Sequence, residues 1–139
     1  MLPFFSAAAL AVVVHAPKAD LRLELALTDA AREHGLMDRT TIAPHTGMIF
    51  VFAQDAPVSF WMKETLVPLD MIFIAADGRV RRVYANVPVV DPKLPDAAIP
   101  TEGGDAKYVI ELPAGEAEAD GIVAGTRLDL ADVPPAAPK

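Results

Sequence analysis

One stretch of this chain, residues 58–74 (VSFWMKETLVPLDMIFI), sets polar groups inside strongly apolar runs. It holds the single tryptophan, Trp61, with Lys63 two residues on. On an alternating strand those two side chains share a face. An exposed indole stacks on planar or sugar ligands, and an ammonium group beside it fixes an anionic one. Arg39, Thr65 and Asp70 come from neighbouring motifs and complete the candidate wall of a ligand site. In the competing reading Trp61 packs, while Lys63 and Arg39 pair with Asp70 or Glu64 to hold the turn, because buried charges are usually paired.

Carboxylates offer a second chemistry. Asp70 and Glu111 both sit in apolar strand patterns, and two carboxyls converging across a sheet serve as an acid/base pair. A strand carboxylate equally serves structure by accepting backbone N–H groups or an arginine. His15, His34 and His45 share no metal-ligand spacing with one another or with an acidic residue, so they read as exposed and no metal site is expected. Asp96, Glu102 and Asp105 carry oxygen ligands at a spacing that fits no calcium loop. Ser6 and Ser59 lack a histidine in any hydrolase pattern, and no phosphate-cradling glycine loop is present. Nothing in the sequence calls for a cofactor.

The 139 residues suffice for one domain. Apolar residues make up 53% and charged residues 22%, enough to bury a core. The 12 basic and 19 acidic residues leave a net charge of −7, which opposes a broad grip on nucleic acid. The chain has no cysteine, so disulfides and thiolate sites are excluded.

The elements that would position these groups read as strands. Residues 2–14 (LPFFSAAALAVVV) are apolar but too short to span a bilayer. Residues 1–19 therefore read as a signal-like or extra N-terminal segment. Leu21, Leu23, Leu25 and Leu27 alternate with polar residues as a half-buried strand. Thr28 or Asp29 caps a short helix that ends at Gly35. Residues 48–53 form a strand buried on both faces, 54–57 a turn, and 58–63 the next strand. Pro68 interrupts before 70–75, and Asp77-Gly78 signals a hairpin into 79–87. Residues 88–105 read as a connector, or a lid over the Trp61 face. Strands at 107–112 and 122–130 flank a short helical segment at 114–120. The body spans 20–131, and the Pro-rich tail 132–139 reads as a solvated end.

Several of these blocks resemble the domain-of-unknown-function 192 family of small bacterial and archaeal proteins. They are AAREHGLMDR from Ala30, GMIFVF from Gly47, FWMKETLVPLDMIFI from Phe60, AKYVIELPAG from Ala106 and GIVAGTRL from Gly121. Together they run in the family's order from Leu21 to Leu130. One departure falls inside the strongest block, where Glu64 replaces the family's usual asparagine. The resemblance implies a jelly-roll-type β-sandwich, often in exported proteins, and implies no activity.

The expectation taken forward is a mainly β protein, an antiparallel jelly-roll-like β-sandwich of about seven to nine short strands with one or two short helices. Functionally it is a non-catalytic binding module of the cell envelope, periplasmic or otherwise exported, for a small polar or anionic ligand. Its site is Trp61, Lys63, Arg39, Thr65 and Asp70. The alternatives are a carboxylate-dependent enzyme acting on a small polar or carbohydrate substrate, and a structural protein whose apolar N-terminus mediates homodimer contacts. A cytoplasmic location is the alternative to export. Neither nucleic acid nor an integral membrane span is expected.

Overall fold

The computed structural model describes residues 10–139; Ser6 and the first part of the apolar run lie outside them. Six strands form one mixed sheet in the order β1-β2-β3-β6-β4-β5. The strands are β1 (Ala11–His15), β2 (Asp20–Ala26), β3 (Thr46–Trp61), β4 (Leu69–Ile74), β5 (Val80–Val87) and β6 (Thr101–Pro113). Two short helices accompany them, α1 (Asp29–His34) and α2 (Glu116–Ala119). The protein is mostly β, and this open sheet is compatible with sandwich or barrel-like layering.

One pairing departs from the antiparallel expectation: β2 and β3 run parallel, Leu23 beside Gly47 and Leu25 beside Ile49. The cause is α1. A helix between two strands returns the chain to the same end of the sheet, where only a parallel neighbour can form. Thr28 caps α1 through its Oγ1, which accepts the Ala31 N–H at 3.1 Å.

Fewer strands form than the pattern suggested, because two are long. Residues 54–57, read as a turn, lie inside the 16-residue β3. There the register against β6 shifts between Val51 and Ala56, a bulge that frees carbonyls from the ladder. Arg32 Nη1 donates to Val51 O at 2.7 Å, and Lys107 Nζ donates to the carbonyls of Phe52 and Ala53. Two side-chain cations thus stabilise the bulge without breaking the strand.

Residues 101–105, read as part of a connector, belong to β6, and Thr101 pairs with Trp61. The expected last strand is absent among the described residues, apart from an isolated bridge between Arg79 and Arg127. Gly121 and Gly125, at φ +79° and +93°, bend the chain out of extended geometry.

Each face of the sheet buries a core. Leu21, Leu23, Ile49, Ile72, Ile110 and Leu112 face one way, covered by α2, Ile122, Leu128 and Leu130. Phe50, Met48, Met71, Phe73 and Val109 face the other, covered by Leu36 just beyond α1. The tail packs where a solvated end was expected: Val133 and Ala136 lie against the first core, and Ala137 N–H donates to Leu27 O at 2.9 Å.

Candidate functional site

The second face carries a hollow of about 360 Å³, roofed by α1 and walled by β3. Glu111 forms its floor. On β6 this residue pairs with Met48 on one side and Met71 on the other, so its side chain rises among apolar neighbours. It is only 4% exposed, and burial pushes its carboxyl up from 4.5 to about 8. Water cannot solvate the anion there, and no cation pairs with it among the described residues. At neutral pH Glu111 is therefore a protonated acid, able both to donate and to accept a hydrogen bond.

Phe50, Phe60 and Leu36 supply apolar wall, and Ser59 and Thr65 line the same space. Phe50 and Phe60 meet edge to face with centroids 4.9 Å apart. Arg32 borders the hollow but is engaged, bonding Leu27 O, Val51 O and Asp29 Oδ1 and covering the Phe52 ring at 5.4 Å.

Trp61 stands at the rim, 37% exposed. Its indole lines both this hollow and a shallower depression shared with Lys63, Glu64 and Asp96. Lys63 Nζ lies 5.3 Å above the ring and binds Asp96 at 2.9 Å, and that bond holds its ammonium above the usual lysine value. Thr65 is buried, its Oγ1 donating to Lys63 O at 3.2 Å.

The other two expected residues lie elsewhere. Arg39 pairs with Glu24 at 2.6 Å beside a separate hollow bordered by Arg22 and Thr46. Asp70 points away from Glu111. Met71 pairs with Glu111, and adjacent strand residues alternate faces, so Asp70 faces α2. Its carboxylate accepts the N–H groups of Asn86, Gly115 and Ala117. The two carboxyls do not converge, so a paired acid/base site is not assembled. Among the described residues Trp61 and Thr65 line the hollow with Glu111, while Lys63 meets Trp61 outside it.

Sequence reading missed a second constellation. His45 Nδ1 lies 3.0 Å from Asp120 Oδ1 and 3.4 Å from Glu116 Oε2. The acidic residues sit far along the chain from His45, so no short-range motif announces the group. Only the four-residue step from Glu116 to Asp120, which puts both on one helical face, was available as a signal.

The profile of the family described as Uncharacterized ACR, DUF192, matches residues 12–130. A Sinorhizobium meliloti 1021 protein, described provisionally as a transcription regulator, superposes with a TM-score of 0.78 at 35% identity. That match covers 90% of this chain and 97% of the other. A Novosphingobium aromaticivorans DSM 12444 protein of unknown function gives a TM-score of 0.77 at 31% identity, covering 90% and 89%. No curated protein matches the sequence.

Proposed function

This chain belongs to the DUF192 family, and we propose that it is a non-catalytic binding module whose ligand enters the hollow beneath α1. The observation that carries this reading is Glu111, a buried carboxyl at the floor of an accessible hollow whose lining mixes apolar and polar side chains. A carboxyl left in such a place with no partner among the described residues suits a ligand's polar group. The aromatic wall and Trp61 suit a planar or apolar body.

Charge narrows the ligand. Arg32 and Lys63 are already bound to carboxylates, and Asp29 and Glu33 border the opening. The arrangement favours a small polar ligand, neutral or weakly basic, over the anionic one. Nucleic acid is no part of this reading, whatever role the S. meliloti relative has, since acidic residues outnumber basic ones by 19 to 12.

A second reading rests on the same residue. A carboxyl that titrates near neutrality is what a general acid needs, so Glu111 alone could protonate a leaving group. The two readings part under Glu111→Gln. A binding module loses affinity for ligands that quench Trp61, whereas an enzyme keeps binding and loses turnover. The test is a Trp61 fluorescence titration against neutral and amine-bearing metabolites, which supports the proposal if quenching saturates and weakens in Glu111→Gln. Saturable quenching confined to anions, or unchanged by the substitution, argues against it.

We place the protein in the cell envelope on the apolar character of residues 2–14 alone. β1 keeps Ala11–His15 paired with β2, and Val14 is buried. Export by a cleaved leader therefore requires a cut before Ala11, which N-terminal sequencing of the fractionated protein tests. The homodimer reading rests on the same run, and sedimentation tests it.

A further inference from the structure

On the opposite face from the hollow, donors from two distant parts of the chain meet. His45 sits just before β3 at φ +60°, and its N–H donates to Glu116 Oε1 at 3.2 Å. Glu116 and Asp120, four residues apart, present carboxylates on the same side of α2 and its C-cap. Asp70 anchors that turn from within the sheet by accepting the N–H groups of Gly115 and Ala117. One donor atom from each of His45, Glu116 and Asp120 lies within 4.8 Å of the other two. Ligands around a tetrahedral ion at about 2.1 Å stand about 3.4 Å apart, so a small contraction would close the set on one ion.

The second observation is an orphaned oxygen. Asp120 is 1% exposed, and its Oδ2 has no hydrogen-bond partner among the described residues. Glu116 Oε2 is also buried without one. Buried carboxylate oxygens are costly to leave unmatched. A proton shared between the two carboxyls is one way to match them, and burial together with Asp120 does raise Glu116. The imidazole Nδ1 lies within reach of both carboxylates and adds a nitrogen donor to the same spot.

We propose that His45, Glu116 and Asp120 form a three-ligand site for a divalent transition cation, with its remaining coordination positions open to solvent on the exposed side of His45. One imidazole nitrogen and two carboxylate oxygens suit zinc-class ions, whereas calcium and magnesium take oxygen alone. Binding displaces the Nδ1 proton and any proton the carboxyls share, and these leave to solvent. The site is independent of the hollow beneath α1.

The test uses the untagged full chain, stripped with chelator and titrated with Zn²⁺ against a chromophoric competitor. One equivalent is expected, with Ca²⁺ failing to compete. His45→Asn, which keeps a residue tolerant of the left-handed backbone, and Glu116→Gln should each weaken binding at least about tenfold, a loss that even outer-shell partners produce. His15→Ala, at the exposed His15–Asp20 pair, should leave it unchanged. In wild type the His45 Nδ1 nitrogen resonance should move on Zn²⁺ addition. No stoichiometric binding, wild-type affinity in His45→Asn, or loss confined to His15→Ala would overturn the proposal.

Discussion

Asp70 Oδ2 accepts the Ala117 N–H at 2.9 Å, so a carboxylate buried in β4 anchors the first turn of the helix that carries Glu116. The same carboxylate holds Asn86 at 2.8 Å, tying the end of β5 to α2. Asp70→Asn keeps the volume but loses the charge and one acceptor oxygen, and several N–H groups then compete for the other. Hydrogen bonds to charged groups each contribute about 1.5–3 kcal/mol, so a loss on the order of 3 kcal/mol is expected in urea unfolding. Amide exchange should quicken first at Gly115 and Ala117. Unchanged stability would mean that Asp70 does not hold this turn.

Glu111 makes stability depend on pH. Its folded value, about 8, stands above the ordinary 4.5. As pH rises through that interval the unfolded chain releases the proton while the folded protein keeps it, so stability falls. At 1.36 kcal/mol per unit the loss is on the order of 5 kcal/mol. It is absent below about pH 4.5 and complete once pH passes about 8. Glu111→Gln should flatten this contribution, so the two proteins' unfolding midpoints should converge at low pH and separate at high pH. Parallel curves would show that burial does not hold the carboxyl protonated.

Position 64 gains a physical explanation from its backbone. Glu64 sits at φ +53°, in the left-handed region that asparagine tolerates better than glutamate. Asparagine fits that geometry better, and Lys63 takes Asp96 as its ion-pair partner. Glu64→Asn should therefore stabilise the fold by about 0.5–1 kcal/mol, raising the melting temperature by a few degrees. A lower melting temperature would contradict the argument.

Gly47 lies where the β6 backbone comes close to β3. A Cβ there would stand 1.9 Å from the Glu111 carbonyl oxygen, and backbone cannot rotate aside as a side chain does. Gly47→Ala should cost about 3 kcal/mol or more, with lost yield as the first sign. Gly103→Ala meets only Val58 O, at 3.4 Å, and should be far milder. Equal tolerance at both positions would mean the strands separate easily.

The sequence made the strands legible wherever one face alternates, as at Leu21, Leu23 and Val80, and made the α1 cap legible at Thr28. It misled where a side chain overrides a local turn signal. Gln54 to Pro57 reads as a turn until Arg32 and Lys107 reach across to the bulged carbonyls, contacts that no local window contains. The parallel β2–β3 pair was hidden likewise, because the direction of pairing depends on where the α1 connection returns the chain.

For the site, the strand read over 58–63 ends at Trp61, so Trp61 and Lys63 meet although alternation does not place them: Lys63 reaches the ring from the turn beyond the strand. Arg39 was misplaced because proximity in motif order says nothing about which hollow a loop residue borders. Asp70 and Glu111 looked alike as carboxylates in apolar strands. Only the β4–β6 register separates the one bonded to α2 from the one at the floor of the hollow. The His45 cluster depends on contacts across about half the chain length, for which spacing rules give no warning.

The central claim is that the hollow between α1 and Glu111 takes a small polar ligand. The most direct measurement is a fragment screen of the isotope-labelled full chain by NMR, following backbone amides, the Trp61 indole and the Glu111 side-chain carbonyl. The account predicts that hits are neutral or weakly basic, that shifts concentrate at Gly35, Trp61, Thr65 and Glu111, and that Glu111→Gln weakens them. Shifts gathered around Arg39, with Glu111 and Trp61 unmoved, would contradict it.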